Sequence, residues 1–484
     1  MRVFVTGATG FVGRALVLRL LQADHEVVAW TRDAVRARNL LGPSVEIVES
    51  ARDSLDREVA RADAIVNLAG ANLFDGRWTR KRKQALVASR VSLTKNIARA
   101  LRAAPVRDRV LVSASAVGFY GARGNETLTE GSIGGGDFLA DLCRQWEAAA
   151  RSAASDRTRV VIPRIGLVLG SEGGSMARLL PLFRAGLGGR LGSGRQWMSW
   201  IHLHDLVDLI VWSLSDREAT GALNATAPEP ETNRDFTHQL AGALGRRVGP
   251  PAPAFALKAV LGEAASVLLT GQRVLPRKAL ALGFPFAYPT LPLALGQILD
   301  GGRTPSIQPA TALKPMPDRP AAQYVLEQET RIGAPLGTVF PFFAEAANLA
   351  LLTPTWTDFH IVDHPEGETV AGSEIVYRLR LFGVPIRWRT RIDAWEPGRR
   401  FVDCQLSGPY RLWYHEHTFE ASADGAVRMV DRVAYTVPGW ALGRLVNRLM
   451  VAPLLRRIFA WRAEAIQLRF DPPPPHVLDD RRVA

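Results

Sequence analysis

Short apolar runs alternate with longer helical patterns over the first half of the chain. The runs VFVTG, EVVAWT, VEIVES, DAIVNLAG, RVLVSAS and RVVIPRIGLVL are mostly apolar and lack strict alternation. Such runs indicate strands that are buried on both faces of a parallel sheet, joined by crossover helices. Residues 1–245 are therefore predicted to form an α/β domain with a Rossmann-type, doubly wound parallel sheet.

The pattern changes after residue 245. Residues 246–300 carry more Pro and Leu and are predicted to form a small helical part that belongs to the first domain. Residues 301–322 are rich in Pro and show no periodicity. They are therefore predicted to be a linker between two domains.

A second domain is predicted for residues 323–470. Polar and apolar residues alternate in YVLEQETRI, SEIVYRLRLF, PIRWRTRIDAW and RLWYHEHTFEA, which indicates a curved antiparallel sheet with one buried face. From Trp440 to Phe470 apolar residues recur at helical spacing and predict a long helix. This part is thus of the α+β class, and the Pro-rich tail 471–484 is predicted to be disordered.

Composition and charge restrict the possible partners and cellular location of the protein, but they say little about its activity. The 484 residues carry a net charge of +13, but the basic residues are scattered, so no nucleic-acid partner is predicted. The two cysteines, Cys143 and Cys404, have no metal or disulfide spacing and fit a cytoplasmic location. No secretion signal is predicted, because the sequence opens directly on the apolar strand MRVFVTG. No integral membrane association is predicted, because the most apolar later stretch contains Lys258 and Glu263.

A glycine-rich motif stands between the first predicted strand and the following helix. The motif reads TGATGFVG from Thr6 to Gly13. Glycine is needed there because the chain turns tightly and its backbone must approach a pyrophosphate at the helix N-terminus. The motif predicts a dinucleotide site with contacts from Thr6, Gly7, Thr9, Gly10, Phe11, Val12 and Gly13.

The end of the second predicted strand indicates which dinucleotide is bound. An NAD site usually offers an acidic residue to the ribose 2′-hydroxyl, whereas an NADP site offers a cation to the 2′-phosphate. The strand ends in Trp30-Thr31-Arg32, with no carboxylate before Asp33. Arg32 is therefore predicted to bind the 2′-phosphate, and the cofactor is predicted to be NADP(H).

Several motifs follow one another along residues 1–300: TGATGFVG, DAIVNLAGA, SASAVGFYG, VIPRIGLVLG, LGSGRQWMSWIHLHDL and GQRVLP. In these motifs the chain resembles the YfcH-like, epimerase-like family of atypical extended short-chain dehydrogenases. The resemblance implies a Rossmann-type fold that binds NADP(H), and it leaves the substrate open. It adds to the predicted cofactor site the residues Asn67, Leu68, Ala69, Gly70, Ser113 and Arg164.

The same resemblance indicates where catalytic groups would stand. Extended short-chain dehydrogenases use a Ser after the fifth strand and a Tyr-x-x-x-Lys pair on the next helix. Ser115 matches the Ser, but Phe138 and Leu142 occupy the Tyr and Lys positions, and neither can move a proton. Two interpretations stay open: hydride transfer or epimerisation with a rearranged acid/base, for which Tyr120 is the candidate, or NADP(H) binding without turnover. Further acid/base candidates are Asp137, Asp141 and His202.

Residues 323–470 resemble the START-like or polyketide-cyclase (SRPBCC) superfamily in their predicted architecture and in GPYRLWYHEHTFE. The resemblance implies a helix-grip fold around an apolar cavity, and a hydrophobic ligand such as a lipid, isoprenoid or aromatic metabolite. Along one predicted strand Trp413, His415 and His417 share a face. The sequence nominates no further ligand beside the two histidines, so no metal site is predicted.

Together these features predict an NADP(H)-binding oxidoreductase or epimerase-like protein, with a small-molecule substrate, fused to a domain for a hydrophobic ligand. The alternative is a non-catalytic NADP(H)-dependent sensor or a lipid-binding carrier.

Overall fold

The computed structural model describes residues 1–171, 173–300, 305–310, 321–364 and 369–471. The chain divides into two compact units. The first contains Met1–Ala34 and Glu46–Leu299, and the second contains Val35–Val45 and Asp300–Pro472, as far as these residues are described.

The first unit is built on a parallel sheet with the strand order β12-β8-β5-β4-β1-β2-β3, and β6 pairs with β8. Its strands, with the short ones that pair outside this sheet, are β1 (Arg2–Thr6), β2 (Glu26–Thr31), β3 (Val45–Glu49), β4 (Ala64–Asn67), β5 (Arg109–Ser113), β6 (Ser115–Ala116), β7 (Thr127–Leu128), β8 (Thr158–Ile165), β9 (Leu167–Leu169), β10 (Trp197–Met198), β11 (Trp200–His202), β12 (Gly221–Ala225), β13 (Glu231–Thr232) and β14 (Arg273–Val274).

Helices connect these strands, as expected for parallel pairs, which cannot be joined by tight turns. In chain order the helices are α1 (Phe11–Gln22), α2 (Ala34–Leu41), α3 (Leu55–Arg61), α4 (Arg80–Val87), α5 (Leu93–Ala103), α6 (Phe138–Arg151), α7 (Met176–Arg184), α8 (Leu203–Ser215), α9 (Asn233–Ala243), α10 (Ala254–Leu261), α11 (Ser266–Leu269), α12 (Arg277–Ala281) and α13 (Leu291–Asp300). Of these, α2 consists mostly of residues assigned to the second unit. A π-helical turn, Ala88–Ser92, joins α4 to α5.

The apolar runs of the sequence form the centre of this sheet. Phe4, Ile65 and Leu111 lie on three neighbouring strands, belong to one apolar cluster, and have no exposed surface. The carboxyl ends of these strands are aligned, because Thr6 pairs with Asn67 and Asn67 pairs with Ser113. The chain reverses direction across the sheet between β1 and β4, and ligands of doubly wound sheets bind at such a point.

The second unit contains an antiparallel sheet with the order β15-β16-β22-β21-β20-β19-β18-β17. The strands are β15 (Ser306–Pro309), β16 (Tyr324–Ile332), β17 (His360–Asp363), β18 (Glu374–Leu381), β19 (Val384–Glu396), β20 (Arg400–Ser407), β21 (Leu412–Ala421) and β22 (Val427–Thr436). The helices are α14 (Leu336–Ala344), α15 (Trp440–Val446) and α16 (Ala452–Phe470), with a π-helical turn, Asn447–Val451, between the last two.

One face of the antiparallel sheet packs against the last helix. Leu455 and Phe459 of α16 share an apolar cluster with Trp413 of β21 and Tyr435 of β22. The alternation read from the sequence therefore corresponds to a sheet with one buried face, as predicted. No helix in the described ranges is both long and apolar enough to cross a bilayer.

Some predicted boundaries differ from the structure. Residues 306–309, inside the predicted linker, form β15 and pair with β16, because backbone pairing needs no apolar pattern. The rest of that linker at 301–304 and 311–320, and the tail 472–484, lie outside the described residues. The predicted helix from Trp440 to Phe470 is two helices joined by a π-helical turn.

Candidate functional site

The turn between β1 and α1 is too tightly packed for any residue larger than glycine at two positions. Gly7 has a φ of +76°, and a Cβ on it would lie 2.9 Å from the backbone nitrogen of Ala69. A Cβ on Gly13 would lie 2.1 Å from the carbonyl oxygen of Gly7. The first turn of α1 is thereby held directly against the end of β1.

The N-terminus of α1 suits an anion. Its N-cap is Gly10, no side chain caps it, and its first turn has no acidic residue. The positive end of the helix dipole and the first backbone N–H groups are therefore not used by a carboxylate of that turn. The neighbouring predicted contacts, Thr9, Phe11 and Val12, are partly exposed.

Three predicted cofactor residues contact one another at the strand ends. The Thr6 hydroxyl donates to Oδ1 of Asn67 at 2.7 Å, and the Asn67 amide donates to Ser113 Oγ at 3.2 Å and to Thr94 Oγ1 at 2.8 Å. All four side chains are buried. In this geometry they align β1, β4 and β5 below the candidate site, and cofactor contacts from these side chains stay a prediction.

Arg32 follows β2 directly and is exposed. The end of β2 lies beside the glycine turn, because Thr6 pairs with Trp30. Among the described residues Arg32 makes no hydrogen bond or ion pair, so its guanidinium is available to a ligand. Binding of a 2′-phosphate by Arg32 stays a prediction.

The loop after β4 is held by an arginine. A Cβ on Gly70 would come within 2.9 Å of the Arg90 guanidinium carbon, and Arg90 donates to the Ala71 carbonyl at 3.0 Å. Burial lowers the pKa of Arg90. The predicted contacts Leu68, Ala69 and Gly70 thus lie between the glycine turn and Arg90, a residue whose supporting role the sequence analysis did not identify.

A buried ion pair lies behind this edge of the sheet. Arg164 on β8 is 2% exposed and binds Glu147 on α6 through two contacts, Nε to Oε1 at 2.8 Å and Nη2 to Oε2 at 2.9 Å. Ser115 also donates to Glu147, at 2.8 Å. Cofactor binding by Arg164 stays a prediction, and the geometry favours an interior structural role for it.

Tyr120 belongs to the same network and has no exposed surface. Its hydroxyl contacts Oδ1 of Asn224 at 2.7 Å and the Thr129 carbonyl at 3.0 Å, and it accepts from Arg164 at 2.9 Å. Burial raises the pKa of Tyr120. Proton transfer by Tyr120 stays a prediction, and these contacts favour positioning over catalysis.

Glu147 is a member of this network that was not predicted from the sequence. The feature that could have identified Glu147 is its position: it is an acidic residue on the buried face of α6, beside Leu142, Cys143 and Trp146. An acid among buried helix positions requires a partner, because an unpaired buried carboxylate is costly. Its partner, Arg164, lies on a different element.

The start of α6 carries the substituted catalytic positions. Phe138 is the first residue of the helix, and Asp137 is its N-cap, accepting from the Ala140 N–H at 2.9 Å. The Lys83 ammonium stands 4.9 Å from the centre of the Phe138 ring and pairs with Glu263. An open recess beside this ring is lined by Trp78, Arg80, Lys83, Gln84, Val87, Ala88, Ser92 and Phe138.

The other acid/base candidates have surroundings that the sequence did not predict. Asp141 is exposed and pairs with Arg144. His202 is buried, accepts from the His204 N–H as the N-cap of α8, and has its pKa lowered to about 3 by burial. Asp205, in the first turn of α8, accepts from two backbone N–H groups, at residues 287 and 288, and burial raises its pKa to about 7.

The second unit encloses a cavity of about 180 Å³ between the sheet and α16. Aromatic and aliphatic side chains form most of its wall, including Leu352, Ile375, Leu379, Trp388, Leu455 and Phe459. The Trp413, His415 and His417 face of β21 lines it, which identifies the buried face of that strand.

Comparison with known proteins places most of the first unit in known families. Residues 3–225 match the model of the NAD dependent epimerase/dehydratase family. Residues 252–298 match a domain of unknown function, DUF1731.

Relatives are similar over about three-fifths of this chain. The Epimerase family protein SDR39U1 homolog, chloroplastic, of Arabidopsis thaliana is 42% identical over 305 residues, which are 62% of this chain and 87% of the relative. The Epimerase family protein SDR39U1 of Homo sapiens is 38% identical over 303 residues, which are 62% of this chain and 100% of the relative.

Two solved structures show the same likeness. The crystal structure of human SDR39U1 (isoform 2) with NADPH is 37% identical, with a TM-score of 0.56, over 62% of this chain and 99% of that one. The nucleoside-diphosphate sugar epimerase of Corynebacterium glutamicum is 33% identical, with a TM-score of 0.51, over 62% of this chain and 58% of that one.

The glycine turn yields a prediction about stability. Gly13→Ala is expected to lower the free energy of unfolding by about 1–3 kcal/mol, because the added Cβ meets rigid backbone. Gly136→Ala is the matched control, since a Cβ there meets nothing within 4 Å. Urea unfolding of both variants measures the difference, and equal stabilities would contradict the packing described for the turn.

The buried ion pair yields a second prediction. Glu147→Leu is expected to cost about 3–5 kcal/mol, because it leaves Arg164 charged and unpaired in the interior. Adding Arg164→Met to that variant should restore much of the loss, since it removes the orphaned charge. Asp141→Ala, which removes an exposed pair, should cost less than about 1 kcal/mol in the same unfolding assay. A loss in Glu147→Leu no larger than in this control would refute the role given to the pair.

Proposed function

The chain belongs to the NAD dependent epimerase/dehydratase family, and from this premise we propose that its first unit binds NADP(H) at the turn between β1 and α1. The observation that carries the proposal is the cradle formed there: a glycine turn whose backbone excludes side chains, and a helix N-terminus without a side-chain cap. Such a cradle suits a pyrophosphate. A relative of known structure was solved with NADPH, which supports the same cofactor here.

Arg32 favours the phosphorylated dinucleotide. It is an exposed cation at the end of the strand beside the glycine turn, the position from which the adenosine ribose is recognised. A guanidinium binds a phosphate through two parallel hydrogen bonds and gains little from a bare hydroxyl. NADPH should therefore bind more tightly than NADH.

Arg32→Ala tests this preference. The variant is expected to weaken NADPH binding by roughly 10- to 100-fold, the loss of one charge-assisted contact, while leaving NADH binding nearly unchanged. Arg217→Ala is the control, because Arg217 is also exposed but lies in the loop before β12. Calorimetric titration of the three proteins with both nucleotides measures the effect. Equal losses for NADPH and NADH would reject the 2′-phosphate contact.

The geometry best supports NADP(H) binding without the usual proton relay. The Tyr and Lys positions hold Phe138 and Leu142, while Ser115 and Tyr120 are buried and engaged with Glu147 and Arg164. A general acid must reach the proton that it transfers. Without the usual proton relay, the first unit would act as an NADP(H)-dependent sensor or as a structural cofactor site.

One observation favours oxidoreductase or epimerase chemistry as a second candidate. The recess beside Phe138 is open and carries Arg80 and Lys83, so an anionic substrate has room where the family's catalytic Tyr would stand. Single-turnover oxidation of bound NADPH, assayed against carbonyl compounds and sugar nucleotides, separates the candidates. A substrate whose turnover is lost in Lys83→Gln would support catalysis, and tight NADPH binding with no oxidation would support the sensor.

For the second unit we propose a START-like, helix-grip function: binding of a hydrophobic small molecule. The support is the mostly apolar cavity between the sheet and α16. Pockets of this character gain affinity by removing apolar surface from water, and a few polar groups orient the ligand. Fusion to the first unit would raise the local concentration of that ligand near the nucleotide site.

Ile458→Trp tests ligand binding by filling the cavity, since Ile458 is one of its lining residues on α16. Binding of an anilinonaphthalene fluorophore is expected to weaken at least about tenfold, because the larger side chain occupies the apolar space. Leu449→Trp, at a position 65% exposed just before the same helix, should bind like the wild type. Equal fluorophore binding by both variants would contradict the proposal.

The cytoplasmic location stays a prediction. Both cysteines are free and buried, which suits a reducing compartment.

A further inference from the structure

Four ionisable side chains meet on the inner face of the antiparallel sheet. Asp403 lies on β20, His415 and His417 on β21, and Asp431 on β22. The register places Asp403 opposite His415, and His417 opposite Asp431. Because residues two apart on one strand share a face, both imidazoles lie between the two carboxylates.

The distances place Asp403 on one side of the two imidazoles, called the inner side here, and Asp431 on the other, the outer side. Oδ2 of Asp403 lies 3.2 Å from Nδ1 of His415 and 3.6 Å from Nε2 of His417. The opposite ring nitrogens, Nε2 of His415 and Nδ1 of His417, lie 3.0 and 2.7 Å from the same oxygen, Oδ1 of Asp431. Each imidazole therefore presents one nitrogen to Asp403 and the other to Asp431.

We propose that Asp403, His415 and His417 bind one divalent transition-metal ion of the zinc class. Ligand atoms about 2.0–2.1 Å from a tetrahedral ion are about 3.3 Å apart, which is close to the two separations at Asp403. Each of the three residues can present one ligand atom within 4.8 Å of the others. Two imidazoles and one carboxylate are a donor set that zinc, cobalt and ferrous ions accept.

Asp431 has the place of an outer-shell partner. Metal-bound histidines usually donate their second ring N–H to a carboxylate, which fixes the ring and its tautomer. Asp431 Oδ1 is hydrogen-bonded to His415 Nε2 at 3.0 Å and lies 2.7 Å from His417 Nδ1, although without hydrogen-bond geometry to that second nitrogen. It is also absent from the residues found to line the cavity, whereas Asp403, His415 and His417 all line it. The inner ligands thus face the space that the outer carboxylate does not reach.

The cavity gives the ion an open coordination position. Three protein ligands and one free position are the arrangement of catalytic rather than structural zinc sites. Phe401 stacks on His417 with ring centres 4.2 Å apart, and Phe459 packs edge-on against His415 at 5.5 Å. These rings pack against the two imidazoles, in a cavity that Arg462 of α16 also lines.

The open position indicates the class of ligand. A hydrophobic molecule with one oxygen donor, such as a carboxylate, hydroxyl or enolate, would place its apolar body in the cavity and its oxygen on the ion. This extension rests on the proposed hydrophobic-ligand function, but metal binding does not, because the three ligands belong to the sheet itself.

A cobalt titration tests the metal site. The full chain, freed of metal by chelation and dialysis, is titrated with Co²⁺ while its visible spectrum is recorded. We expect one equivalent bound with d–d absorption of a four- or five-coordinate ion and no thiolate charge-transfer band, since neither cysteine is a proposed ligand. Zinc should then displace the cobalt.

Variants separate this site from adventitious binding. Asp403→Asn, which keeps the side-chain shape, should weaken Co²⁺ binding at least about 100-fold, and Asp431→Asn about 10- to 100-fold. His238→Gln is the control, because His238 is an exposed histidine of the first unit. It should bind like the wild type. Wild-type affinity in Asp403→Asn, or loss of the signal in His238→Gln, would overturn the proposal.

Thermal unfolding keeps the test decisive if a variant folds poorly. Zinc bound to the native state should raise the unfolding temperature of the wild type, and a chelator should reverse the shift. Wild type with neither cobalt absorption nor a zinc-dependent shift would show that the four groups form a metal-free hydrogen-bonded cluster. Fluorophore binding measured alongside reports on the cavity separately, so failure of the metal site and failure of hydrophobic-ligand binding are distinguishable.

Discussion

The close approach of α1 to the end of β1 is the constraint on which the candidate nucleotide site depends. Gly13 leaves no room for a Cβ because the Gly7 carbonyl oxygen stands 2.1 Å from where it would be. This contact fixes the helix N-terminus over the strand ends, where the Thr6, Asn67 and Ser113 side chains align three strands. The helix end at which we propose the pyrophosphate to bind is therefore positioned by backbone packing.

Local patterns sufficed to predict the parts of the protein that are locally determined. The glycine turn, the buried parallel strands and the alternating strands each depend on residues close together in sequence. The polar network behind the sheet does not. Ser115 meets Glu147 across 32 positions, and Tyr120 meets Asn224 across 104. Tyr120 next to Ser115 therefore suggested catalysis in sequence, whereas its contacts in the fold are those of a buried support.

In the second unit, too, contacts between residues that are distant in sequence could not be predicted from local patterns. Alternation along β21 predicted that His415 and His417 lie on one face, and both are on the buried face of that strand in the structure. The carboxylates beside them come from β20 and β22, and only the register of three strands brings them into contact. A two-residue spacing reveals a face, but it does not reveal what the neighbouring strands place opposite it. This is why the pair of histidines carried no metal prediction in sequence.

The proposed cofactor cradle and the candidate acid/base groups of the first unit depend on different contacts. In the first unit the proposed cofactor cradle depends on the packing of the glycine turn. The expected Tyr and Lys positions hold apolar side chains, and Ser115 and Tyr120 are hydrogen-bonded to the buried pair of Glu147 and Arg164. The atoms that leave no room for a Cβ at Gly7 and Gly13 belong to the backbone, so this packing does not involve the side chains at the expected acid/base positions. The proposed cofactor cradle and the recess beside Phe138, where the second candidate function would place its chemistry, are therefore separate features of the fold.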